Sequence, residues 1–107
     1  MQGTLLRFYV HENRKHDRVL LYEWLLERAR TTGIAGGSAF RALAGFGRHG
    51  VLREEHFYEL AGDVPVVIDF AVPDAQADAL LALIHAEKLD IFYVRIPVEF
   101  ASIDGTQ

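Results

Sequence analysis

The residues best suited to chemistry lie in the middle of the chain, in GIAGGSAFRALAGFGRHG (33–50), where six glycines fall within eighteen positions. Gly36 and Gly37 close one element, and Gly45 and Gly47 open a loop around Phe46 that runs into Arg48 and His49. Glycine accepts positive φ and lets a backbone approach another group closely. The loop can therefore set exposed N–H donors beside positive charge, an arrangement that receives an anion such as phosphate. A plain turn leading into a polar arm has the same spacing. No helix follows GFGRHG directly, so the strand–turn–helix context of a dinucleotide fingerprint is missing. Arg41, Arg48 and Arg53 are the candidate cations for phosphate charge. Arg41 sits in a strand and also suits a structural ion pair. Phe46 offers a ring for packing under the loop or for stacking on a base.

Other chemistry finds less support. Five histidines invite a search for a metal site. His11 and His16 are five apart and do not make an H-E-x-x-H motif; His49 and His56 are seven apart with no carboxylate at a telling distance. His85 falls on the exposed side of a helix. The expectation is solvent histidines and no metal. Ser38 lacks a G-x-S-x-G context, and Glu54, Glu55 and Glu59 read as a solvated segment rather than an acid–base pair. No catalytic residue is assigned.

These residues need elements to position them. TLLRFYV (4–10) alternates as a strand with Leu6, Phe8 and Val10 on one face and Leu5, Arg7 and Tyr9 on the other. From Val19 to Thr32, residues Leu21, Tyr22, Leu25, Leu26 and Ala29 keep a helical period. Asp17 is the expected N-cap, and Gly33 the left-handed residue after the C-terminus. A short strand covers Ser38–Ala44. VPVVIDF (64–70) is the clearest strand, rich in β-branched residues. A second helix, capped by Asp74 and ended at Asp90, buries Ala77, Leu80, Leu81 and Ile84. The last strand is IFYVRIPVEF (91–100). LREEHFYEL (52–60) reads either as an extended arm or as a loop.

The order strand, helix, strand, strand, helix, strand predicts an α+β fold of the ferredoxin-like βαββαβ type, an antiparallel sheet with two helices on one face. The expected helix-side face carries Leu6, Phe8, Phe40, Val66, Ile68, Phe70, Phe92, Val94 and Ile96. The opposite face then mixes Leu5, Tyr9, Leu43, Val67 and Tyr93 with Arg7, Arg41, Asp69, Arg95 and Glu99, with Arg41 or Arg95 placed to pair with Asp69. An open face of this kind predicts a subunit interface.

Composition sets the remaining bounds. The 107 residues suit one domain, 1–107, with half of them hydrophobic and a net charge of −4. That charge argues against a nucleic-acid coat, which needs a basic face. There is no cysteine, so disulfides and thiolate metal sites are excluded. No apolar run spans a bilayer, and the start MQGTLLRFYV lacks the pattern of a signal peptide. The expected location is the cytoplasm.

Four stretches together resemble the PII-like family catalogued as DUF190. They are LRFYVHEN at the first strand, LLYEWLLERARTTGIAG along the first helix, FRALAGFG at the glycine loop and DVPVVIDF at the third strand. Leu20, Leu21, Tyr22 and Glu23 stand where the family reads proline-leucine-tyrosine-glutamate, and Arg41 leads to the loop Gly45, Phe46 and Gly47. Arg53 and Glu54 replace a histidine-threonine pair common in the family. The resemblance implies a PII-like homotrimer that binds an adenine nucleotide in clefts between subunits. It further implies that residues 48–62 signal to a target such as a membrane transporter or an enzyme. The leading expectation is a non-enzymatic sensor that requires no cofactor. The alternatives are a small enzyme in an intersubunit cleft, with His49 or His56 as general base, and an assembly module without a ligand.

Overall fold

The structure, a computed structural model, describes residues 1–45 and 64–105. Four strands form the main sheet in the spatial order β4-β5-β1-β6: β1 (Gln2–His11), β4 (Ser38–Arg41), β5 (Pro65–Val72) and β6 (Phe92–Glu99). All neighbours in it are antiparallel. A small hairpin, β2 (Lys15–His16) and β3 (Val19–Leu20), precedes helix α1 (Leu21–Thr31); helix α2 (Asp74–Ala86) joins β5 to β6. This is the expected βαββαβ arrangement, with the hairpin as an addition. None of the helices among the described residues is long and apolar enough to cross a membrane.

The core follows from two periodicities. Leu6, Phe8 and Val10 of β1 and Val66, Ile68, Phe70 and Val72 of β5 alternate inward, and the register sets Leu6 opposite Phe70 and Phe8 opposite Ile68. Leu21, Leu25 and Ala29 of α1 and Ala77, Leu80 and Ile84 of α2 recur at helical spacing and cover that layer. The Phe8 and Phe70 rings meet edge to face, with centroids 6.1 Å apart.

The helix ends explain where each element stops. Gly33 has φ +96°, and the bonds Ile34 N–H to Ala29 O and Gly33 N–H to Arg30 O close a Schellman motif at the end of α1. Asp17 does not cap α1. The hairpin inserts between them, Leu20 takes the N-cap position, and Asp17 sits in the hairpin turn at φ 51°. Asp74 is one residue past its expected place, with Pro73 as N-cap. Its carboxylate instead accepts from the buried Thr4 hydroxyl at 2.5 Å, tying the start of α2 to β1. α2 ends at Ala86, earlier than Asp90, where Lys88 turns left-handed at φ 59°.

Two strands lie in the opposite phase to the one expected. In β4, Phe40 opposes Val67 and so joins the open face, whereas Arg41 opposes Val66 on the helix side. The cause is Gly37. A Cβ there would stand 2.3 Å from the Phe70 ring, so only glycine passes over the core and Phe40, three residues on, points away. β4 also ends at Arg41 rather than Ala44. In β6, Ile96 opposes Leu5 and Phe92 opposes Tyr9, placing Phe92, Val94, Ile96 and Val98 on the open face. Tyr93 and Arg95 take the helix side, where Tyr93 packs on Phe8 and Arg95 pairs with Asp78 of α2. β6 is an edge strand beyond the full cover of the helices, so its helix-side positions are wet and its apolar stripe belongs to the other face.

The open face is therefore more apolar than expected. It carries Leu5, Tyr9, Val67 and Val94 together with Phe40, Phe92 and Ile96, which are 55%, 50% and 39% exposed. Asp69 pairs with Arg7, directly opposite it in the ladder, and not with Arg41 or Arg95. The pair is bidentate, at 2.8 and 2.9 Å, and the Asp69 hydrogen bond and charge raise the Arg7 guanidinium above its already high pKa.

Candidate functional site

The glycine loop leaves the sheet at the end where β1 and β4 finish and β5 begins. Glu12 N–H donates to Val64 O and Ala42 N–H to Pro65 O, both at 2.9 Å, so the three chain segments are stitched together there. Arg41 closes this end. Its Nε stands 3.0 Å from Glu12 Oε1 and its Nη2 donates to Oε2 at 3.1 Å. The Arg41 side chain is mostly exposed and Glu12 is largely covered. A phosphate approaching Arg41 thus meets a guanidinium already shared with a carboxylate.

Gly45 is exposed, and its setting is informative. Its φ lies outside the left-handed region, and an added Cβ would make only an ordinary 3.5 Å contact with Pro65 Cγ. Among the described residues, neither backbone strain nor crowding requires glycine at 45. Phe46, Gly47, Arg48 and Arg53 lie outside the described residues, as do His49, His56 and the 48–62 segment. Of the six expected ligand residues, the structure places Arg41 and Gly45 at the same end of the sheet.

Reading the sequence missed Glu12 as the partner of Arg41. The signal was the HEN triplet at the end of β1, but only the antiparallel pairing of β1 and β4 with β5 brings residues 12 and 41 together. The histidines also differ from expectation. His85 is exposed on α2, as expected, whereas His11 is half-buried at the end of β1. His16 is not a solvent histidine: its side chain is 16% exposed and its Nε2 lies 2.9 Å from Glu87 Oε1. The same nitrogen is 3.5 Å from Asp17 Oδ2.

The fold defines the class. The chain is similar to CPII, a nitrogen regulatory PII-like protein from Thiomonas intermedia K12 solved bound to ADP, AMP and bicarbonate. The two share 19% identity, with 97% of this chain and 100% of that one covered, and the TM-score is 0.56. A structure of CPII bound to ADP and bicarbonate is 25% identical over 92% of this chain and 91% of that one, with a TM-score of 0.50. The chain thus has the PII-like ferredoxin-like fold. Residues 3–99 match DUF190, described as "Uncharacterized ACR, COG1993", and the chain belongs to that family. A UPF0166 protein of Aquifex aeolicus is 29% identical over 102 residues, covering 88% of this chain and 97% of the relative. A UPF0166 protein of Methanocaldococcus jannaschii is 26% identical over 69 residues, covering 64% and 63%.

Proposed function

We propose that this chain is a cytoplasmic, non-enzymatic PII-like regulatory protein that binds an adenine nucleotide between subunits of a homotrimer. The observation that carries the reading is the open sheet face. A face with Leu5, Tyr9 and Val67 on its central strands and the exposed Phe40, Phe92 and Ile96 on its two edge strands is too apolar to stand in water without a partner, and a second and third copy supply matching surfaces. Closing it brings the sheet end with Arg41, Glu12 and Gly45 next to a neighbouring chain. The nucleotide in the CPII structures supports ADP or AMP as the ligand class.

In this reading the backbone of Gly45, Phe46 and Gly47 approaches the phosphates, and Arg48 and Arg53 supply charge. Arg41 serves first as the structural partner of Glu12. Among the described residues nothing demands glycine at 45, which leaves room for a ligand's approach there. The ligand favours one arrangement of residues 48–62, and a protein partner, a membrane transporter or an enzyme, reads that arrangement. Titration calorimetry of the full chain with ATP, ADP, AMP and cyclic nucleotides, with light scattering on the same samples, tests this. Binding without turnover by a trimeric protein is the expected result. Turnover of the nucleotide overturns the sensor reading in favour of an enzyme, and silence with every nucleotide favours an assembly module.

A further inference from the structure

We propose that His16, Asp17 and Glu87 form a binding site for a divalent transition ion of the zinc type, on the helix side of the molecule and independent of the nucleotide reading. The hairpin of β2 and β3 turns through only Asp17 and Arg18, and both are left-handed, at φ 51° and 72°. A two-residue turn of this form usually takes asparagine and glycine, because a Cβ disfavours the left-handed region. Here aspartate takes the first position, which such turns accept, and Arg18 keeps the left-handed geometry at the second; the turn places the Asp17 carboxylate beside the ring of His16.

The third group arrives from the far end of the sequence. Glu87 is the C-cap of α2, and its carboxylate reaches the same imidazole nitrogen. One donor atom from each residue lies within 4.8 Å of the other two. Two ligands held about 2.1 Å from one ion at a tetrahedral angle stand about 3.4 Å apart. The separation of His16 and Asp17, 3.5 Å, already has that value. His16 and Glu87, at 2.9 Å, need to open by about half an ångström.

The ring is held for the task. Trp24 packs edge to face against His16 at 4.8 Å, and the Arg28 guanidinium sits 5.7 Å from the centre of the Trp24 ring. Two carboxylates beside a single imidazole, at the negative end of a helix, attract a cation of charge two. One nitrogen and two oxygens select zinc and its neighbours over magnesium or calcium, which prefer oxygen alone. Three protein ligands leave a fourth position for water or an anion. The ion would clasp the hairpin to the end of α2.

The test uses the metal-free full chain titrated with Co²⁺, followed by visible absorption, and with Zn²⁺ by calorimetry. One ion per chain with the intense absorption of four-coordinate cobalt is expected, together with a rise in the thermal midpoint. E87Q, at a half-buried position, and D17N, at an exposed one, should each weaken binding at least tenfold, and H16N should abolish it. H85N, at an exposed histidine on α2, should leave it unchanged. Circular dichroism shows that each variant is folded. Absence of uptake at about 1 mM Co²⁺, or equal affinity in wild type and folded E87Q, overturns the assignment.

Discussion

Ile96→Asp is expected to dissociate the proposed trimer while leaving the chain folded. In the isolated chain Ile96 is 39% exposed and faces away from the helices, opposite Leu5. Completing its burial against another copy is worth roughly 1 kcal/mol, the exposed share of the about 1.5–3 kcal/mol of a whole aliphatic side chain. An aspartate there loses that gain and adds the cost of covering a carboxylate without a partner, about 3 kcal/mol at the low end. The sum, about 4 kcal/mol per chain, is roughly a thousandfold in each dissociation constant. Sedimentation velocity over about 1–50 μM, the range in which a shift of that size separates trimer from monomer, reads the change, and thermal melts check the fold. Arg95→Gln is the matched control. It changes the adjacent residue, which faces the helices and pairs with exposed Asp78, and a surface bridge of that kind is worth about 1 kcal/mol or less. Its assembly should match wild type. A wild-type protein that sediments as a monomer, or an I96D protein that assembles as tightly as wild type, refutes the argument.

Three further outcomes follow from the same geometry. Gly37→Ala should destabilise by about 1–3 kcal/mol, because its Cβ would enter the ring of Phe70, which is fully buried and has no room to retreat; each kcal/mol lowers the thermal midpoint by roughly 4–8 °C. Gly45→Ala should be neutral or stabilise by up to about 1 kcal/mol through the unfolded chain, since nothing described around it objects to a methyl group. In calorimetry the same variant should bind nucleotide more weakly, and unchanged affinity would remove Gly45 from the ligand site. Glu27 is held below the usual carboxylate range by its hydrogen bonds from Arg30, so its contribution to stability is complete above the unfolded value and lost as pH falls through the lowered folded one. The difference in denaturant midpoint between wild type and E27Q should shrink from about pH 6 to about pH 2, and it should be small throughout because the pair is exposed.

How much of this was legible beforehand differs from strand to strand, for a physical reason. β1 and β5 are central, so only one of their faces carries large apolar groups that pack under helices. Leu6, Phe8 and Val10, and Val66, Ile68 and Phe70, were assigned to the right side. β4 and β6 are the edges, and there an apolar stripe does not reveal its side. Phe92, Val94 and Ile96 look like core residues because they are apolar, yet they answer to the open face. Arg95 held the information: a charged residue between two apolar ones can reach Asp78 only if α2 is on its side. Gly37 held it for β4, as a position just before the strand where the chain must cross the Phe70 ring without a side chain of its own.

The site was legible only where its parts are near in sequence. Arg41 and Gly45 are close in the sequence and lie at one end of the sheet, but the partner that neutralises Arg41 comes from the end of β1, and Glu87 lies 71 residues from His16. Ion pairs and metal-ligand sets are made by topology, and periodicity says nothing about which chain ends meet. The pairing of Arg41 with Glu12 nevertheless constrains the chemistry at the sheet end. A phosphate drawn to Arg41 would have to compete with a carboxylate held in place by the Glu12 N–H bond to Val64. The same guanidinium therefore positions the loop base more effectively than it binds an anion. In the proposed reading the charge that meets a nucleotide then comes from other cations, with Arg48 and Arg53 the candidates on this chain.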